Sequence, residues 1–135
     1  MNTIHATGTF DVQIKPLTAY NTDDATLGRM SIDKQFHGDL AATSKGEMLS
    51  SGNGARGSSG GYVAIERVMG TLGGRAGTFV FQHSATMNRG APTMSVTVVP
   101  DSGTGELVGL TGTLAIIITD GKHFYEFDYT LPAAH

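Results

Sequence analysis

The sequence predicts an all-β domain, an eight-stranded antiparallel up-and-down β-barrel. Three observations point there. Short runs alternate apolar and polar residues with the period of two that marks a half-buried strand. Glycine-bearing turn signals separate these runs about every ten residues from Thr7 to Leu131. No segment carries the period of an amphipathic helix. A two-sheet sandwich has the same local pattern and is the alternative architecture.

The first run covers residues 7–15, with Phe10, Val12 and Ile14 on one face, and Pro16 is expected to stop it. A polar segment follows to Gly28, containing Asn21, Thr22, Asp23 and Asp24, long enough for a lid or a helical turn. The second run, residues 29–37, puts Met30, Ile32, Lys34 and Phe36 on one face. Gly38 and Asp39 turn the chain into the third, residues 40–49, with Leu40, Ala42, Gly46 and Met48 in register. Residues 50–60 are nearly all small and polar and read as a loop that buries no apolar area.

The fourth run spans residues 61–70 and the fifth residues 77–84, joined through Gly73 and Gly74. Gly-Gly between apolar runs signals a hairpin, because glycine accepts positive φ without steric cost. Residues 88–92 form the next loop, and residues 94–99 the sixth run. The seventh is read as one strand over residues 106–119, with Gly109 and Gly112 as bends. Asp120 and Gly121 form a hairpin signal before the eighth run, residues 122–131. An even strand count lets the first and last strands pair and removes both edges. A barrel of eight strands can fill its bore or hold one small ligand.

Length and composition bound the function. The chain of 135 residues is read as a single domain, 1–135. Glycine supplies 19 residues, about twice the usual share of ~7%, without a collagen period. The net charge of −3 and the scattered Lys and Arg argue against a nucleic-acid partner. With no Cys, there is no disulfide, thiolate metal site or cysteine nucleophile. No signal peptide is read at Met1–His5, and no apolar stretch reaches the ~18 residues of a membrane span. The expectation is therefore a cytoplasmic protein without a membrane partner.

Two matches to catalytic patterns carry no chemistry. Residues 52–57 fit G-x-G-x-x-G, but a β-type run follows where dinucleotide binding needs a helix N-terminus. Residues 57–61 fit G-x-S-x-G around Ser59, but the strand–turn–helix setting of a nucleophile elbow is absent. Both fall in the low-complexity loop. The five histidines His5, His37, His83, His123 and His135 form no close ligand pair, so no metal and no cofactor is expected. Glu126 and Asp128 could imitate a glycosidase pair, but nothing encloses them.

The candidate site residues lie on alternating faces. His83 shares a stripe with Phe79 and Phe81 and is a candidate acid or base. Glu66 lies on the adjacent run with Tyr62 and Ala64, whereas the opposite face of that run carries Arg67. Either choice of inward face buries a charge that needs a partner, and Lys34 is available from the second run. Tyr125, Phe127 and Tyr129 line one face of the last run, as core or as ligand walls. The stretch Leu114, Ala115, Ile116, Ile117, Ile118 is apolar on both faces, which predicts a covered outer face and a homo-oligomer.

A resemblance extends over nearly the whole chain. The run from Tyr62 to Val68, through Gly73, Gly74 and Arg75, to Gly77 and His83 resembles a family of small bacterial proteins of unknown function. The later stretches, residues 98–107 and 109–112, and the early stretch, residues 36–40, resemble the same family. That family is grouped with barrels similar to allene oxide cyclase. The resemblance therefore implies an allene oxide cyclase-like eight-stranded barrel, and no functional residues carry over. The plant cyclases act on a fatty-acid epoxide in the bore, mainly by holding its conformation.

Three functions compete on these grounds. The barrel binds a small apolar or amphipathic ligand, walled by Phe79, Phe81, Tyr125, Phe127 and Tyr129 and oriented by Lys34, Glu66 and His83, with Tyr62 also among the ligand-binding residues. Alternatively it is a cyclase or isomerase with His83 or Glu66 as general acid or base. In the third reading the bore is packed and the protein acts through its oligomer surface. The long segments 16–28 and 50–60 favour a gated mouth.

Overall fold

The computed structural model describes residues 2–21, 23, 26–52, 55 and 57–132. Eight strands follow in chain order: β1 (Ile4–Leu17), β2 (Leu27–Gly38), β3 (Leu40–Ser51), β4 (Gly60–Leu72), β5 (Arg75–Asn88), β6 (Ala91–Val98), β7 (Thr111–Thr119) and β8 (Lys122–Thr130). Each pairs antiparallel with the next, and β8 returns to β1, closing an all-β barrel. Among the described residues there is no α-helix, and no helix is long and apolar enough to cross a membrane. The dinucleotide-like pattern lies partly outside the described residues, at Asn53, Gly54 and Arg56. So do Thr22 and Asp24 of the polar segment, and His135.

Up-and-down order sorts the connections into two ends. The mouth carries the described residues of the connections from β1 to β2 and from β3 to β4, and the turns at 89–90 and 120–121. The base carries the turns at 38–39 and 73–74 and the connection 99–110. Gly73 and Gly74 both take positive φ, 57° and 84°, the geometry of a two-residue hairpin that matches strand twist.

Several strand limits differ from the sequence reading. Pro16 does not end β1: it pairs with Met30, and the strand continues to Leu17. β8 pairs with β1 only as far as Phe10, so Pro16 sits where one edge has no partner and its missing N–H is tolerated. The fifth strand runs on to Asn88 and the sixth begins at Ala91, which shortens their loop to a tight turn. The seventh run is not one strand. Residues Gly105–Leu107 form a 3-10 turn, and Leu107 and Leu110 fold in as a buried plug across the base. Gly109 bends the chain there with φ 84°, whereas Gly112 is an ordinary position of β7.

The lower half of the bore is packed. Phe36, Phe79, Phe81, Tyr125 and Phe127 are buried in it with Leu40, Val68 and Leu72. Ring centroids lie 4.9 Å apart for Phe79 and Phe81 and 5.3 Å apart for Phe81 and Phe127, both edge-on. Such contacts add about 0.5–1.5 kcal/mol each to the area they bury. Tyr125 also ties down the base: its hydroxyl accepts the Leu40 N–H at 2.9 Å and donates to the His37 carbonyl at 2.9 Å.

Alternation holds on β7. Leu114 is buried and Ile116 packs on the core, whereas Ile117 is 41% exposed on the outer face. Its cross-strand partner Phe124 is also exposed. The weakest seam of the wall lies between β6 and β7, where Thr97 and Thr113 form a single register pair.

Candidate functional site

Inward positions on β2, β4 and β5 converge midway up the bore. Register places Lys34 opposite Ser44, Ser44 opposite Val68, and Glu66 opposite Gly46 and Phe81. On β4 the inward face is therefore that of Ala64, Glu66 and Val68, and Arg67 points out. Gly46 makes the approach of β3 to Glu66 feasible. A Cβ there would stand 2.1 Å from the Ile65 carbonyl oxygen and 2.6 Å from Glu66 Cα.

The three chemistry-bearing residues meet in one cluster. Glu66 Oε2 lies 2.9 Å from Lys34 Nζ and 3.0 Å from His83 Nε2. Glu66 is fully buried (0% exposed), with His83 at 3% and Lys34 at 9%. The ammonium also stands over the Phe10 ring at 4.9 Å and faces Phe36 at 5.7 Å, a cation–π arrangement that offsets part of its lost hydration. Burial by itself would push the Glu66 carboxyl up. The His83 ring and the Lys34 ammonium outweigh it and hold the group below its ordinary value. Both Glu66 oxygens, His83 Nε2 and Ser44 Oγ are buried without a well-aligned hydrogen bond among the described residues, so the cluster is held by charges at short range. A buried orphan acceptor of this kind is costly, about 1–3 kcal/mol.

Above the cluster the bore opens. A cavity of about 730 Å³ occupies the mouth, within the ~300–1,000 Å³ of small-molecule pockets. Met30, Met48, Met87, Met94, Ile116 and Ile118 contribute to its apolar wall. Met30 and Met48 face each other across β2 and β3, and Met94 pairs with Ala85 across β5 and β6. Tyr62 also lines the cavity, and its ring lies 6.4 Å from that of His83. Burial, then the charge of Glu66, push the Tyr62 phenol up, so it remains a neutral donor.

Of the residues singled out in the sequence, Lys34, Glu66 and His83 come together and Tyr62 adjoins them from the cavity side. Phe79, Phe81, Tyr125, Phe127 and Tyr129 do not line this cavity. They fill the packed half below, where the rings of β5 and β8 pack together with Phe36 of β2. The four methionines of the wall were not singled out by sequence, although Met30 and Met48 already stood on inward faces.

The remaining candidates are placed elsewhere. Glu126 and Asp128 lie on the outer face, where His5 pairs with Asp128. Ser59 accepts the Arg89 N–H through its hydroxyl, a loop contact. His123 packs on Phe10, ring centroids 5.0 Å apart. Among the described residues no three His, Asp or Glu side chains gather into a possible metal site.

Comparison with known proteins gives two findings. A family described as "Protein of unknown function (DUF3224)" matches residues 6–129. The crystal structure of a protein of unknown function from that family, from Shewanella oneidensis MR-1, is similar at 50% sequence identity and a TM-score of 0.91. The match covers 98% of this chain and 100% of that one. Comparison with curated proteins found no match.

Proposed function

We propose that this chain, which belongs to the DUF3224 family of unknown function, binds a small apolar or amphipathic ligand in the mouth of its barrel. One observation carries the reading: the bore is packed below the Lys34–Glu66–His83 cluster and open above it, where a cavity of about 730 Å³ has an apolar wall. A wholly filled bore would have favoured the purely structural reading. The buried cluster gives the lower end of the cavity a fixed polar level, and Tyr62 is the group that links the two. The setting is the cytoplasm, and the protein works there as a homo-oligomer joined through the exposed Ile117–Phe124 face of β7 and β8.

The test is to fill the cavity. Ala85 points inward in the wall, next to Met94. Ala85→Phe is expected to lower the affinity for the neutral fluorophore N-phenyl-1-naphthylamine by about tenfold or more, with the thermal midpoint nearly unchanged. Unchanged affinity in a folded variant would place the fluorophore elsewhere and remove this reading.

A further inference from the structure

The wall of the mouth cavity differs from the rest of the molecule in two ways. The chain as a whole is 16% Asp, Glu, Lys and Arg, yet none of these, and no His, occurs among the 19 described residues that line the cavity. And four of the six methionines, Met30, Met48, Met87 and Met94, converge on this one wall from β2, β3, β5 and β6.

Both facts select ligand chemistry. An ionised ligand group entering this cavity loses hydration and meets no opposite charge among the described lining residues, which costs binding energy. The hydroxyls supply what polarity there is, and several already have partners. Thr86 and Thr93 bond to each other at 2.6 Å, and Ser59 holds the Arg89 N–H. Ser50, Ser51 and Tyr62 remain as neutral donors and acceptors. Thioethers are polarisable, adapt their shape and make favourable contacts with aromatic rings, especially at the ring edge. The Met30–Met48 pair and the Met87 and Met94 side chains supply such contacts from two regions of the wall.

We propose that the ligand of the mouth cavity is an uncharged aromatic molecule whose ring system packs among the four methionines and whose polar group is a hydroxyl or carbonyl. This rests on the binding reading above and narrows it: fatty-acid anions, phosphates and quaternary amines are excluded from the cavity.

The test is displacement of N-phenyl-1-naphthylamine from the full chain by four matched compounds. 4-Hydroxybiphenyl is expected to displace it at about tenfold or more lower concentration than biphenyl-4-carboxylate, which adds a charge to the same skeleton. Biphenyl is expected to act at about fivefold lower concentration than bicyclohexyl, its more hydrophobic saturated counterpart. In Met48→Leu/Met94→Leu the advantage of biphenyl should shrink while bicyclohexyl is unchanged, since leucine keeps the apolar wall and removes the sulfur. A carboxylate that competes as well as the phenol overturns the uncharged class. Bicyclohexyl competing as well as biphenyl overturns the aromatic class. In both cases the cavity still binds. Failure of the fluorophore itself to bind would remove the binding reading as well.

Discussion

At the residue scale the dominant fact is a carboxylate buried at 0% exposure between an ammonium and an imidazole. Removing one member of such a cluster leaves the others without compensation. Glu66→Gln keeps the shape but strands the Lys34 charge, and it is expected to cost about 3–5 kcal/mol in urea unfolding at neutral pH. The pH dependence has a definite sign. The folded-state value of Glu66 lies below its ordinary 4.5, so its contribution is present above 4.5 and is lost as pH falls through the folded value. Wild-type protein should therefore lose stability below that pH more steeply than Glu66→Gln. Equal acid sensitivity would mean that the carboxyl is not held ionised. Sequence left the inward face of this strand undecided because Glu66 and Arg67 put one charge on each side. The choice is made by Lys34, which reaches Glu66 from β2, by His83 of the adjoining β5, and by Gly46, which lets β3 come close.

At the scale of elements the barrel wall is uneven. β4 and β5 pair along their whole length, from Gly60 opposite Met87 to Leu72 opposite Arg75. β6 and β7 meet at one register pair, Thr97 with Thr113. Amide hydrogen exchange should report this directly. Residues 91–95 of β6 and 115–119 of β7 are expected to exchange about tenfold or more faster than the centres of β4 and β5. Protection equal to that of β4 would mean a fully bonded wall. The cavity lies beside this seam, since Met94 and Ile116 both line it. The eight strands themselves were legible because alternation and turn residues are local signals. Their limits were less so. Pro16 is tolerated only because β8 stops pairing at Phe10, and Leu107 becomes a plug only because the base of the barrel needs filling. Neither condition exists within the local sequence.

At the scale of the whole molecule two surfaces remain to be used. Outside, Ile117 and Phe124 are paired across β7 and β8 and exposed in the single chain of 14.1 kDa. Light scattering at micromolar concentration is expected to give a multiple of that mass, reduced by Ile117→Lys. A monomeric mass for the wild type would remove the oligomer. Inside, the open half of the bore is bordered by methionines that lie far apart in sequence, so no stretch of the chain announces the cavity. The signal was divided among β2, β3, β5 and β6, and only closure of the sheet assembles it. The packed aromatic half was easier to read, because Phe79 and Phe81 on β5 and Tyr125, Phe127 and Tyr129 on β8 each form a continuous stripe.

The most direct measurement of the binding reading is a methyl NMR titration of protein labelled at the methionine ε-carbons with N-phenyl-1-naphthylamine. Met69 lies on the outer face of β4 and serves as the internal reference. Ligand in the mouth cavity should shift the methyls of Met30, Met48, Met87 and Met94 together and leave Met69 in place. Shifts confined to Met69, or no shift at any of the four at saturating fluorophore, would contradict a ligand site in the barrel mouth.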